Sequence, residues 1–290
     1  MSTRLITTLS ALALVGALVC VCANTRRAAA SGDAHALAAS SGGDDDMRER
    51  DEINESYRLA PGAEVQVQAI SGSVTVETGV TDTADIHIVR LARTRDELEC
   101  RPVHIEYTDG RLRIDGQDDR RQCRNARVNQ QVTLRVPRRI NLNVTSISGH
   151  VNAGDIDGAL HFTSISGHVT VGNVRGPVSF TSISGHVQVA SALDAATFES
   201  ISGRVSITLS HLGARGLKAE SISGSVDVGL ADDVNADLKV ESISGEVYAD
   251  DSRITVNKVS DNEFTGRVGA GGPPLEFFSI SGNIRLHRAG

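Results

Sequence analysis

Three histidines, His150, His168 and His186, fall at a fixed pitch, each directly after a glycine. Neutral imidazole is a common metal ligand, so the row invites a metal-binding reading. No carboxylate or cysteine accompanies the three to complete a shell, and ligands stacked in line do not form a tetrahedron. The favoured reading is an exposed polar column, in which protonating neighbouring imidazoles would create like-charge repulsion. Three glutamates, Glu199, Glu220 and Glu241, recur in the same way. They read as a solvated ladder, with a weak divalent-cation stripe as the alternative. Repeated serines are no better as nucleophiles. The same residue recurs in every unit without a Ser-His-Asp arrangement, and stacking explains that more simply than catalysis. No catalytic residue, cofactor or metal site is expected.

The pitch comes from the tetrapeptide Ser-Ile-Ser-Gly at 146–149, 164–167, 182–185, 200–203, 221–224, 242–245 and 279–282, with an Ala-Ile-Ser-Gly variant at 69–72. Successive glycines from Gly149 to Gly203 are 18 residues apart, and the next two gaps are 21. The last gap, 37, divides into 21 and 16 if Phe264-Thr265-Gly266 is a decayed copy. A fixed short period means stacked units that bury their apolar faces against their neighbours. Equivalent residues then form columns about 4.8 Å apart.

Within a unit, Ile165, Gly167, Val169 and Val171 alternate, the parity slips by one, and Val174, Gly176, Val178 and Phe180 continue it. Alternation with period two marks strands with one buried face, and each slip marks a corner. The expected fold is all-β: a single-stranded β-solenoid (β-helix-like) with 18–21-residue coils. Two principal faces are favoured over a triangular section. The motif Ile is expected inside, and Arg204 beside Glu199. The final coil, Leu275 to Leu286, is expected at the edge of the stack, its outward charges discouraging end-to-end pairing.

Three segments are expected: a signal peptide (1–23), a disordered linker rich in Ala, Ser, Gly and Asp (24–52), and the β-solenoid (53–290). The solenoid is less regular over 53–140 and regular over 141–290. Leu5 to Val21 is apolar, and Val21-Cys22-Ala23 offers a cleavage site. A retained anchor or lipidation are the alternatives, the latter disfavoured by Val19 and Val21 ahead of Cys20 and Cys22. Cleavage would leave Cys100 and Cys123, an even pair in an oxidising compartment, so a disulfide is expected. It would close a loop of about 24 residues and stabilise by about 3 kcal/mol in the chain-entropy picture.

A net charge of −7, an aromatic content of 3% and the absence of Trp argue against a nucleic-acid partner. Between Arg90 and Arg139 there are 13 arginines against 8 acidic residues. That segment reads as a mixed-charge surface, or else as a docking patch for a lipid headgroup or acidic polysaccharide.

Val65-x-Val67-x-x-Ile70-x-Gly72-x-Val74-x-Val76, the strand ending Leu134-Arg135-Val136-Pro137, and the Ser-Ile-Ser-Gly-His-Val units that follow resemble the DUF4097 family of β-strand-repeat proteins. The resemblance runs over roughly residues 53–290. It implies a strand-repeat fold and an adhesin-like role in bacteria, and supplies no catalytic or binding residues.

The expected function is that of a non-enzymatic, exported binding or structural module at the cell envelope, in the periplasm, at the cell surface or secreted. Its partner would be an unidentified envelope protein or polysaccharide, with membrane proximity if the N-terminal segment is retained. The oligomeric state is open. A self-assembling scaffold is the first alternative, and a polysaccharide-active β-helix enzyme the second.

Overall fold

The structure is a computed structural model and describes residues 47–116, 123, 126–260 and 263–289. The expected signal segment, and the expected linker as far as residue 46, lie outside them. The described strands join into one long, 18-stranded sheet of β-solenoid-like course.

Its regular centre is β7 (Asn141–Ala153), β8 (Leu160–Val174), β9 (Val178–Ala192) and β10 (Ala196–Leu209), stacked in parallel. Each strand turns at its Ser-Ile-Ser-Gly motif and continues on a second face. Leu142 lies beside Leu160, Leu160 beside Val178 and Val178 beside Ala196, and the motif glycines stand in one row. The interior is thin. On one face Phe162, Phe180 and Phe198 stack with centroids 5.4 and 5.3 Å apart, all buried. On the other, Val169, Val187 and Val205 form the equivalent row.

The parity expected inside the motif is reversed. The first serine points inward, with Ser146, Ser164, Ser182, Ser221, Ser242 and Ser279 all buried. The isoleucine faces out: Ile147, Ile243 and Ile280 are 41, 57 and 37% exposed. The slip between Val171 and Val174 stands as expected, and a second slip falls within the motif, between buried Ser182 and buried Val187. The reason is a backbone debt at the corner, because a buried N–H needs an acceptor. In the later copies the inward serine meets it: Gly224, Gly245 and Gly282 N–H donate to the Oγ of Ser221, Ser242 and Ser279 at 3.0, 2.9 and 2.8 Å. An isoleucine in that place has nothing to offer.

The glycine is required for a separate reason. A Cβ on Gly185 would lie 2.2 Å from the carbonyl oxygen of Gly167, and φ there is +150°. Only a residue without a side chain lets adjacent corners pack this closely.

At the C-terminal end the coils leave sequence order. β11 (Leu217–Ser221) and β12 (Ser225–Leu230) stack on β10. Next come not β13 (Ala236–Ser242) and β14 (Val247–Asp250) but β17 (Pro274–Ser279) and β18 (Ile284–Arg288), which lie between the two pairs. The final coil is thus an inner rung, contrary to the edge position expected of it. Packing gives a reason: Phe277 fills the interior between Ala219 and Val240, a large side chain between two smaller ones. Phe264-Thr265-Gly266 is not a decayed coil either. It lies in β16 (Glu263–Val268), which runs antiparallel to β13 and forms a hairpin with β15 (Ile254–Ser260).

The N-terminal end repeats this arrangement. β2 (Glu64–Gly79) carries the variant motif and pairs with β7 on one side. On its other side are the later strands β5 (Arg111–Asp115) and β6 (Val128–Pro137). Antiparallel strands finish the end: β4 (His104–Thr108) on β5, β3 (Thr83–Ala92) on β6, and β1 (Glu49–Arg58) on β3. The hairpin expected at Asp109-Gly110 joins β4 to β5. β1 starts inside the stretch expected as linker. Its charge-rich composition reads as solvated, yet each residue pairs with β3, and Arg90 Nε donates to Asp51 at 2.9 Å. At both ends the antiparallel strands cover backbone groups that a terminal rung would leave unpaired.

Candidate functional site

The Ser-Ile-Ser-Gly corner carries the residues singled out in the sequence. His150, His168 and His186 occupy neighbouring strands in register. Their rings are parallel to within 9° and 6°, with centroids 5.3 and 5.0 Å apart. All three are exposed. Ring faces cover one another, which leaves the ring edges, with their nitrogens, toward solvent. Arg204 takes the next place in the column, beside His186.

Arg204 does not pair with Glu199 as expected; its Nε donates to Ser225 Oγ at 3.3 Å. This sets it apart. From Asn141 onward, every other described arginine has a carboxylate partner, as in Arg175–Asp157 (3.4 Å), Arg215–Asp194 (3.1 Å) and Arg285–Asp250 (3.1 Å). Beside Arg204 a shallow groove of about 360 Å³ crosses the corner, lined by His186, Arg204, Ser223, Ser225, Ser281 and Asn283 among others. Ser281 and Asn283 reach it because the last coil lies beside β12.

The glutamate column is broken by the same insertion. Glu199 lies beside Glu220, but Phe278 stands between Glu220 and Glu241. The carboxylates are also engaged along their own strands: Lys218 Nζ is 2.6 Å from Glu220 and Lys239 Nζ 2.5 Å from Glu241. Sequence reasoning placed the three in one line because it stacked the coils in chain order.

Cys100, at the end of the short helix α1 (Arg95–Cys100), is joined to Cys123 in a disulfide with a Cα–Cα distance of 5.3 Å. In the arginine-rich segment several of the described side chains are paired with carboxylates: Arg111–Glu64 (2.7 Å), Arg113–Asp115 (3.0 Å) and Arg135–Glu77 (2.8 Å). Arg135 also borders a depression of about 470 Å³ on the outer face of β1, β3 and β6. There Ser56 Oγ already donates to Asp85 at 2.7 Å.

Two carboxylates outside the corner serve the fold. The Asp155 carboxyl accepts from the Asn173 backbone N–H and side-chain amide at 2.9 Å each, and those bonds hold it below the ordinary carboxylate range. Buried Asp251 is lowered chiefly by hydrogen bonds from the Arg253 side chain. Arg253 in turn donates to the carbonyl oxygens of Leu230, Ala231 and Asp232 at 3.2, 2.8 and 2.7 Å, closing the end of β12. Sequence reasoning missed this pair, whose only signal was an Asp-x-Arg in a turn-rich stretch.

Repeated motifs, in-register columns and a corner of exposed polar side chains define a strand-repeat protein. Residues 158–287 match the family model described as Toastrack DUF4097. Among solved structures, the chain is similar to one described as a "putative adhesin" from Bacteroides fragilis NCTC 9343, at 12% identity, covering 81% of this chain and 97% of that one, with a TM-score of 0.43. A "putative cell adhesion protein" from Clostridium sporogenes ATCC 15579 is 9% identical, covers 82% and 100%, and has a TM-score of 0.34. A "putative lipid binding protein" from Parabacteroides distasonis ATCC 8503 is 12% identical, covers 81% and 96%, and has a TM-score of 0.33. No curated protein matches the chain.

Proposed function

We propose that the protein is an exported, non-catalytic β-solenoid that binds at the bacterial cell envelope in an adhesin-like manner. The supporting observation is the make-up of its outer surface. The corner presents the same side-chain type on successive rungs, as the parallel histidine stack does. A catalytic centre needs a few unique acids and bases converging on one reacting atom, whereas a column presents one contact many times, which suits extended partners. The N-terminal apolar segment and the disulfide agree with export.

The scaffold alternative finds less support. β14 is four residues long, and β15 carries a register break between Val256 and Lys258. Short or bulged edges resist strand addition. Fractionation of cells carrying the tagged full-length chain tests the reading. The chain is expected in the envelope or extracellular fraction and to co-sediment with isolated envelopes. Recovery in the cytoplasm alone contradicts it.

A further inference from the structure

The corner column and the groove beside it share one chemistry. His150, His168, His186 and Arg204 present a line of ring edges and one guanidinium along the stacking axis, and none of the four has a carboxylate partner. The side chains facing the column are neutral on most sides. Ser73 lies on the rung beyond His150, and Asn152, Thr170, Gln188 and Ser206 stand next to the column on its own face. Across the corner are Thr145, Thr163 and Thr181, with Glu199 on the Arg204 rung; on the Ser225 rung Glu220 is held by Lys218 and Asp227 lies beside His287, and Glu246 stands at the far end of the corner, beside Asn283.

We propose that this column and groove form a track for a carboxylated polysaccharide, a polyuronate laid along the stacking axis. The assignment rests on the envelope-binding reading above. The rungs repeat at about 4.8 Å, so a polymer whose anionic sugars recur near that pitch, or a multiple of it, meets equivalent groups on successive rungs. Arg204 supplies a fixed cation with a planar fork suited to a carboxylate. The hydroxyls of Ser223, Ser225 and Ser281 and the amide of Asn283 line the groove and match sugar hydroxyls. A lipid surface fits less well. It is a plane and needs cations spread across a face, whereas this track is one side chain wide.

The test uses the full-length chain and two polyuronates, polygalacturonate and polymannuronate, with methyl-esterified polygalacturonate and anionic phosphatidylglycerol vesicles as comparisons. Binding is read by co-sedimentation at two salt concentrations. The free polyuronates are expected to bind, more weakly in high salt, and the ester at least tenfold more weakly. Arg204→Gln and His168→Asn are each expected to weaken binding about fivefold or more, with an unchanged urea midpoint. Arg135→Gln, on the remote depression, is expected to have no effect. The track is overturned if neither polyuronate binds, if the corner variants bind like the wild type, or if vesicles bind in their place with the same dependence on Arg204. Failure of the track with the chain still in the envelope fraction leaves the broader reading standing; cytoplasmic recovery removes that reading by itself.

Discussion

Replacing Gly185 with alanine tests the corner geometry directly. The new Cβ would lie 2.2 Å from Gly167 O and 3.1 Å from Gly167 N, in a backbone at φ +150°. The obstacle is main chain, so no side chain can swing away. Relieving it means separating two rungs by about 1 Å out of a spacing of about 4.8 Å. Backbone strain of this kind costs about 1–3 kcal/mol, and a buried hydrogen bond left unmade costs a similar amount, so about 3 kcal/mol is expected. With a urea slope near 3 kcal/mol/M, the midpoint falls by about 1 M. Gly79→Ala is the matched control, because nothing lies within 4 Å of its Cβ position; it should stay within about 0.5 kcal/mol of the wild type. Equal midpoints for the two variants refute close approach as the reason for the motif glycine.

Three further substitutions probe the interior. Phe180→Ala empties a fully buried site between Phe162 and Phe198 and should cost about 3–5 kcal/mol by urea denaturation. Ser279→Ala leaves the Gly282 N–H without its acceptor and should cost about 1–3 kcal/mol, while Ile280→Thr on the outer side should stay within about 0.5 kcal/mol; the reverse order would restore the inward isoleucine. Asp251→Asn should cost about 2–3 kcal/mol, below the 3–5 of a fully buried pair because Arg253 is 22% exposed. Asp251 sits lower in the folded state than its ordinary value near 3.9. Its contribution is therefore complete above that value and lost as pH falls through the lowered one. The variant should show a flatter acid limb of stability against pH, and an unchanged limb would contradict the pairing.

The histidine column was legible because exact repetition leaves one register: with identical motifs in successive strands, any slip sets unlike residues side by side. The β4–β5 hairpin was legible from Asp109-Gly110, and the disulfide from the even pair of cysteines beyond the N-terminal apolar segment. The parity of the motif was not. Alternation alone cannot separate a buried serine that bonds the turning backbone from a buried isoleucine, and hydrophobicity favoured the wrong one. The order of the end coils was hidden as well. Local pattern says that Leu275–Leu286 is a coil, but its neighbours are decided by interior fit, with Phe277 between Ala219 and Val240. The break in the glutamate column and the make-up of the groove follow from that insertion, so neither could be read along the chain. Helix α1 escaped notice because six residues carry too little periodicity; its signal was Thr94, whose side chain accepts from the Glu97 N–H.

The groove beside Arg204 exists only if the last coil lies against β12, so the order of the rungs decides whether the corner can bind as proposed. Asp227 and Arg285 are register partners in that arrangement. With coils in chain order, Asp227 would instead meet Tyr248. Two double variants, Asp227→Cys with Arg285→Cys and Asp227→Cys with Tyr248→Cys, can be treated with a zero-length oxidant and mapped by mass spectrometry of proteolytic peptides. A bond in the first variant and none in the second is the predicted result. A bond only in the second would show the coils stacked in sequence order and would remove the groove.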